Sequence, residues 1–160
     1  MSEIHFKEDE LIVSKTDTKG RITYCNEICL NIAGYSEEEL LGAPHNILRH
    51  PDMPKVIFKL LWETIQSGKE IYAYVVNKTK SGDYYWVCAN VTPSFDPKGN
   101  IIGYYSVRRK PKQQALDTIK PLYKKMLEAE IQGGIQASRA LIDELLEAKG
   151  KRYDEFILSL

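Results

Sequence analysis

The stretch from Pro44 to Pro54 holds the densest run of chemically capable side chains in the chain: His45, Asn46, Arg49, His50 and Asp52. Three prolines, Pro44, Pro51 and Pro54, exclude a long regular element there. A guanidinium such as Arg49 can fork onto the paired oxygens of an anion. It can equally sit at the surface, paired with Asp52. His50 and Asp52 flank Pro51, close enough for a local hydrogen bond that braces the loop. His45 reads either as a satisfied loop imidazole or as a ligand contact. Further along, Trp62 lies four residues after Phe58, so both share one helical stripe. That stripe is either plain core or a flat platform. Asn77 interrupts the apolar strand pattern Ile71–Val76. Its amide donates and accepts at once, and buried without a partner it costs about 1–3 kcal/mol. It therefore either meets a partner or sits at a wet edge. Asn26 stands between a strand pattern and a helix pattern, where an N-cap is expected.

Catalytic signals are missing beside these groups. There is no nucleophile–base pair, no P-loop, no G-x-G-x-x-G and no metal-ligand spacing, so the expectation is a protein that is not an enzyme. Cys25, Cys29 and Cys88 are odd in number and form no C-x-x-C. Free buried thiols in a reducing compartment are expected. Lys+Arg and Asp+Glu number 22 each, so no net field draws the chain to nucleic acid or an anionic membrane. Residues 1–10 lack the apolar run of a signal peptide. No apolar stretch approaches the ~20 residues of a membrane span. The expectations are a cytoplasmic protein, no nucleic acid and no direct membrane insertion, with any membrane association peripheral, through a partner.

The elements that must position these side chains follow from periodicity. Leu11–Thr16 and Arg21–Cys25 read as strands around the turn Asp17–Gly20, a hairpin. Ile28, Ile32 and Ala33 recur at helical spacing and Gly34 stops that helix. Ser36 and Glu39 form a capping box for another short helix. Pro54 suits the first position of a helix running to about Ser67, closed by Gly68. Three strands follow, Glu70–Lys78, Tyr84–Thr92 and Asn100–Arg109, an antiparallel meander. Beyond Pro111 the pattern is helical, in two amphipathic stripes separated by Gly133 and Gly134. The organisation is thus an N-terminal extension at 1–10, a compact domain at 11–110 and a C-terminal helical extension at 111–160. Segregated strands and helices argue α+β.

Four runs carry a resemblance. They are Lys15-Thr-Asp-Thr-Lys-Gly-Arg-Ile-Thr-Tyr-Cys-Asn26, Ala33-Gly-Tyr-Ser-Glu-Glu-Glu-Leu-Leu-Gly42, Pro44-His-Asn-Ile-Leu-Arg-His-Pro-Asp-Met-Pro54 and Lys80-Ser-Gly-Asp-Tyr-Tyr-Trp-Val87. Together they resemble a PAS domain, and the third is similar to the Aer-like aerotaxis and energy-taxis group. The resemblance implies a five-stranded antiparallel sheet with short helices on one face and a cofactor cleft between them. It implies non-covalent FAD and a role as redox sensor. It also implies signalling by contact to a membrane-bound chemotaxis transducer of the HAMP type. The chain is most similar to the separate PAS subunit of a split, CetB-like receptor. By analogy, flanking helices imply a homodimer.

The same resemblance implies that Arg49, His50, Asp52, Trp62, Asn77, His45 and Asn26 serve the cofactor. Arg49 matches the family's essential arginine and Trp62 its flavin-side tryptophan. For Asn26 an N-cap explains the residue equally well. With Asn77 inward, the family's strand pairing puts Tyr85, Val87 and Ala89 inward too. Tyr84, Trp86 and Cys88 then face outward, as a docking surface or as a seat for the C-terminal helices. Blue-light PAS domains place an adduct-forming cysteine in the segment matching Pro44–Pro54, and this segment has none. A haem b gas sensor with His45 or His50 as axial ligand, and a cofactor-free interaction module, are the alternatives.

Overall fold

The computed structural model describes residues 1–160. Strands β1 (Ile12–Thr16) and β2 (Ile22–Cys25) form the first hairpin. The Asp17 carboxylate closes its turn by accepting the backbone N–H groups of Lys19 and Arg21, each at 2.9 Å. Helices α1 (Glu27–Ala33), α2 (Glu37–Leu40) and α3 (Lys55–Gln66), with a 3₁₀ turn at His45–Leu48, follow before the meander. The expected capping box of Ser36 and Glu39 opens α2. Pro54 is the cap before α3 rather than its first residue. The meander is β3 (Ile71–Lys78), β4 (Tyr84–Phe95) and β5 (Ile101–Arg109). Strand β4 runs past the expected end at Thr92 because β5 supplies partners for Pro93, Ser94 and Phe95.

The five strands make one antiparallel sheet in the order β2-β1-β5-β4-β3. Period-two alternation decides its faces. Asn77 pairs with Tyr85, Val75 with Val87 and Ala73 with Ala89, and all six are buried on the face under the short helices. The edge strand β3 would leave backbone groups unpaired. The loop before α3 covers that edge. Arg49 bridges to Asn77 through the backbone, and the Val76 N–H donates to the Met53 Sδ at 3.3 Å.

Beyond the sheet, α4 (Gln113–Lys149) and α5 (Tyr153–Leu158) follow, and α4 reaches both the other face of the sheet, at Trp86 and Tyr74, and the start of α3. Helix α4 is a hairpin: Gly134 adopts φ 71° and ψ −166° and turns the chain back. A positive φ of this size suits glycine alone among common residues. The first arm covers β3 and β4. The Tyr123 ring lies 5.9 Å from that of Trp86, tilted by 37°, and its hydroxyl donates to the Tyr74 carbonyl. The C-terminal helices thus seat on Trp86 and Tyr74, and the docking surface expected there is covered. The open half of this face lies over β1, β2 and β5. There Lys15 Nζ stands 5.7 Å from the Tyr24 ring and 5.5 Å from the Tyr105 ring. The N-terminal segment is tied in as well, since the Ile4 N–H donates to the Tyr84 carbonyl at 2.7 Å. No helix is long and apolar enough to cross a membrane.

Candidate functional site

Between the sheet and α3 lies a cavity of about 460 Å³, within the size range of small-molecule and cofactor sites. Its floor is the inward face of the sheet, with Val75, Ala89, Val91 and Tyr104. Its lid is the α3 face carrying Phe58, Leu61, Trp62 and Ile65. Trp62 meets Tyr104 edge-on, ring centres 5.5 Å apart. Gly20, at φ 82°, brings backbone against the indole. A Cβ there would sit 3.1 Å from the ring.

Polar groups converge at the deep end. Arg108 is 2% exposed and faces no carboxylate. Register explains its position: Ile12 and Ala89 flank it across the neighbouring strands. Its guanidinium donates to Ser106 Oγ at 2.8 Å and Ser14 Oγ at 2.9 Å, and reaches the Cys29 Sγ at 3.6 Å. His45 Nε2 lies 3.0 Å from Ser14 Oγ and 3.4 Å from the guanidinium. Burial, and then the Arg108 charge, pull the His45 pKa down to about 3, so the imidazole is neutral at ordinary pH. A hydrogen bond from the Cys25 thiol and the Arg108 charge draw the Cys29 thiol below its usual range, against its burial. All three cysteines are free.

Two donors on the cavity wall lack any partner: Asn77 Nδ2 and Arg108 Nε. Buried orphan donors are rare and costly. Both would be met by a ligand edge carrying acceptors. The mouth is cationic, with Lys19, Lys55, Lys59 and Arg49 on its rim, and no carboxylate lines the cavity. Arg49 makes no ion pair with Asp52; its guanidinium lies over the Phe58 ring at 4.2 Å. A bound group with a planar, acceptor-edged ring and an anionic tail fits this donor set.

The structure therefore brings Arg49, His45, Trp62 and Asn77 to one cavity. His50, Asp52 and Asn26 lie off its wall. The His50 ring packs 5.8 Å from Tyr84, and its Nδ1 accepts the Asp52 N–H at 3.0 Å, which braces the loop. The Asp52 carboxylate is 74% exposed. Asn26 caps α1, accepting the N–H of Cys29 at 3.0 Å and of Val13 at 3.1 Å and donating to the Leu11 carbonyl at 2.8 Å. Sequence reasoning missed Arg108, Ser14, Ser106 and the three rim lysines. The available signal was alternation along β5, which puts Tyr104, Ser106 and Arg108 on the face of Asn77.

Comparison with known proteins bears on this geometry. The sequence profile of the PAS fold matches residues 22–108, more than half of the chain. The chain belongs to the PAS family. Within it, the chain is 40% identical to the aerotaxis receptor of Escherichia coli (strain K12) over 117 residues. That match covers 73% of this chain and 23% of the receptor. The nitrogen fixation regulatory protein of Klebsiella pneumoniae is 26% identical over 103 residues, 64% of this chain and 21% of that protein. Phototropin-2 of Oryza sativa subsp. japonica is 27% identical over 126 residues, 77% of this chain and 14% of that protein. The chain thus spans less than a quarter of the length of each of these relatives. Among solved structures, a light-oxygen-voltage domain studied with a flavin analogue superposes with a TM-score of 0.62 at 21% identity, covering 72% of this chain and 88% of that one. At that identity the likeness supports the PAS fold alone.

Proposed function

We propose that this PAS domain holds FAD non-covalently and reports redox state, by protein contact, to a membrane-bound chemotaxis transducer of the HAMP type in aerotaxis or energy taxis. One observation carries the cofactor reading. The cavity has apolar and aromatic walls, two orphan donors at its deep end and a cationic mouth without a carboxylate. Phe58 and Trp62 would hold the ring against Val75, Ala89 and Val91. Asn77 Nδ2 and Arg108 Nε would meet acceptors on its edge, and Arg49, Lys55 and Lys59 would receive the phosphates. The bound flavin supplies reversible electron uptake. The protein's part is to sense the added charge. Arg108, buried with no carboxylate facing it, favours an electron-rich ring, and its bonds to Ser14, Ser106 and His45 tie that preference to β1, β5 and the 3₁₀ turn.

The likeness to an aerotaxis receptor, 40% identical over 117 residues, supports the same class of function. His50 and Asp52 serve the site at one remove in this reading, by bracing the loop that presents Arg49, and Asn26 serves it by anchoring α1 to β1. The uncovered face around Lys15, Tyr24 and Tyr105 is the proposed transducer contact, a separate polypeptide in a split-receptor arrangement. Haem is the weaker reading. His45 Nε2 is engaged by Ser14 and crowded by Arg108, and His50 points away from the cavity. No cysteine lines the cavity, so adduct photochemistry has no nucleophile there.

An absorbance spectrum of freshly purified protein tests the proposal. A flavin doublet, with FAD identified in the released cofactor, is expected. A Soret band, or colourless protein that stays empty after incubation with FAD, overturns it.

A further inference from the structure

The C-terminal hairpin grips the same helix that forms the lid of the cavity. Helix α3 begins after Pro54, which offers no capping side chain, so its first backbone N–H groups need outside acceptors. They find them 75 and 74 residues away. Lys55 N–H donates to Glu130 Oε1 at 2.9 Å and Val56 N–H to Glu130 Oε2 at 3.1 Å. A carboxylate at a helix N-terminus also meets the positive end of the helix dipole. Ser138, fully buried on the returning arm, donates to Glu130 Oε2 at 2.8 Å and so fixes the carboxylate. Just past the reversal at Gly134, Ile135 lines the cavity. Arg139 reaches Glu63 of α3 at 3.7 Å. This last pair is exposed and contributes little.

We propose that Glu130 is a positioning residue for the ligand cleft, and that docking of the hairpin and filling of the cavity are one linked equilibrium. This rests on the reading of the cavity as a cofactor site. The linkage is geometric. Helix α3 presents Lys55, Phe58, Lys59 and Trp62 to the cavity while its first turn is held by Glu130. A ligand packed against α3 fixes the helix that Glu130 must meet, and Glu130 fixes the helix the ligand must meet. Such coupling is reciprocal: each event strengthens the other by the same factor. The seat of the hairpin on Trp86 and Tyr74 then extends the lid of the cleft to the opposite face of the sheet. A partner that distinguishes docked from undocked hairpin would read whether the cavity is filled.

The test uses the full chain with Glu130→Ala and, should that variant fold poorly, Glu130→Gln. Flavin affinity is measured by titration with FAD. Backbone hydrogen exchange is followed at residues 55–59 and 130–149 with and without FAD. Loss of a helix cap on this scale predicts FAD binding weakened by about 5- to 30-fold, with faster exchange at 55–59. In the wild-type chain FAD should slow exchange across 130–149. Affinity unchanged within about twofold, or exchange at 130–149 indifferent to FAD, overturns the proposal. A wild-type chain that takes up no flavin sinks the cofactor reading separately. The linkage is then read from Trp62→Ala, which loosens the cavity side of α3 and should speed exchange at 130–149. Unchanged exchange there overturns the linkage whatever the ligand.

Discussion

Acid should weaken this fold through one imidazole. His45 sits beside Arg108 at 3.4 Å, and burial first and that charge second hold its pKa at about 3, against 6.5 for an ordinary histidine. The folded state therefore refuses a proton that the unfolded chain accepts below pH 6.5. Unfolding binds the extra proton, so stability falls as pH falls from about 6.5 to about 3 and is flat outside that window. The slope has a ceiling of about 1.4 kcal/mol per pH unit. Across the full shift the ceiling is about 5 kcal/mol. The residue is only half-buried, with its ring turned to the cleft, and screening there reduces the expected loss to about 2–3 kcal/mol. Urea denaturation at pH 7.5, 6, 5 and 4 would compare wild type with His45→Asn. Asp17, Glu39 and Asp96, whose carboxyls are held below their usual range chiefly by hydrogen bonds, titrate in both proteins and cancel. The wild type should lose about 2–3 kcal/mol more than the variant between pH 7.5 and 4, and Arg108→Met should recover part of that difference. Parallel profiles for wild type and His45→Asn, or an NMR titration placing His45 near 6.5, would refute the reasoning.

Two substitutions probe the cleft itself. Asn77→Leu removes a buried donor that has no partner in the protein, so it should stabilise the ligand-free chain by about 1 kcal/mol in urea titration while weakening FAD binding at least tenfold. A loss of stability would show the amide to be satisfied by the fold. Arg49→Ala leaves the ligand-free thermal midpoint within a few degrees, because the guanidinium makes only a contact with Phe58. It should purify with less than about a tenth of the wild-type flavin, the size of a lost charge-assisted pair. Full retention would remove Arg49 from phosphate binding.

Much of the architecture was legible because it is set by short-range rules. The hairpin turn at Asp17–Gly20, the capping box at Ser36 and the stop at Gly34 are local backbone chemistry, and each appears where the residues place it. Alternation along β3 and β4, with the strand pairing that the family resemblance implied, turned Asn77, Tyr85, Val87 and Ala89 to one face, as the register shows. The helical stripe of Phe58 and Trp62 was enough to aim both at one wall. Loop residues were harder. His50, Asp52 and Arg49 lie within four positions, yet only Arg49 reaches the cavity, because backbone pairing with Asn77 turns it there while His50 turns toward Tyr84.

What the chain alone settles is each segment's dihedral preference and which side of it is apolar, since those depend on neighbours a few residues away. What required the tertiary structure is every group whose surroundings come from distant segments. Arg108 reads as one of a basic pair at a strand end, and only the pairing of β5 with β1 and β4 buries it. Trp86 reads as outward, open to a partner or to the C-terminal helices alike, until α4 folds back over it. Glu130 reads as one acid on an exposed helix until the turn at Gly134 carries its arm to the start of α3. Burial and electrostatic partnership are properties of assembled surfaces, and strand register and helix reversal assemble them across separations that no local pattern records.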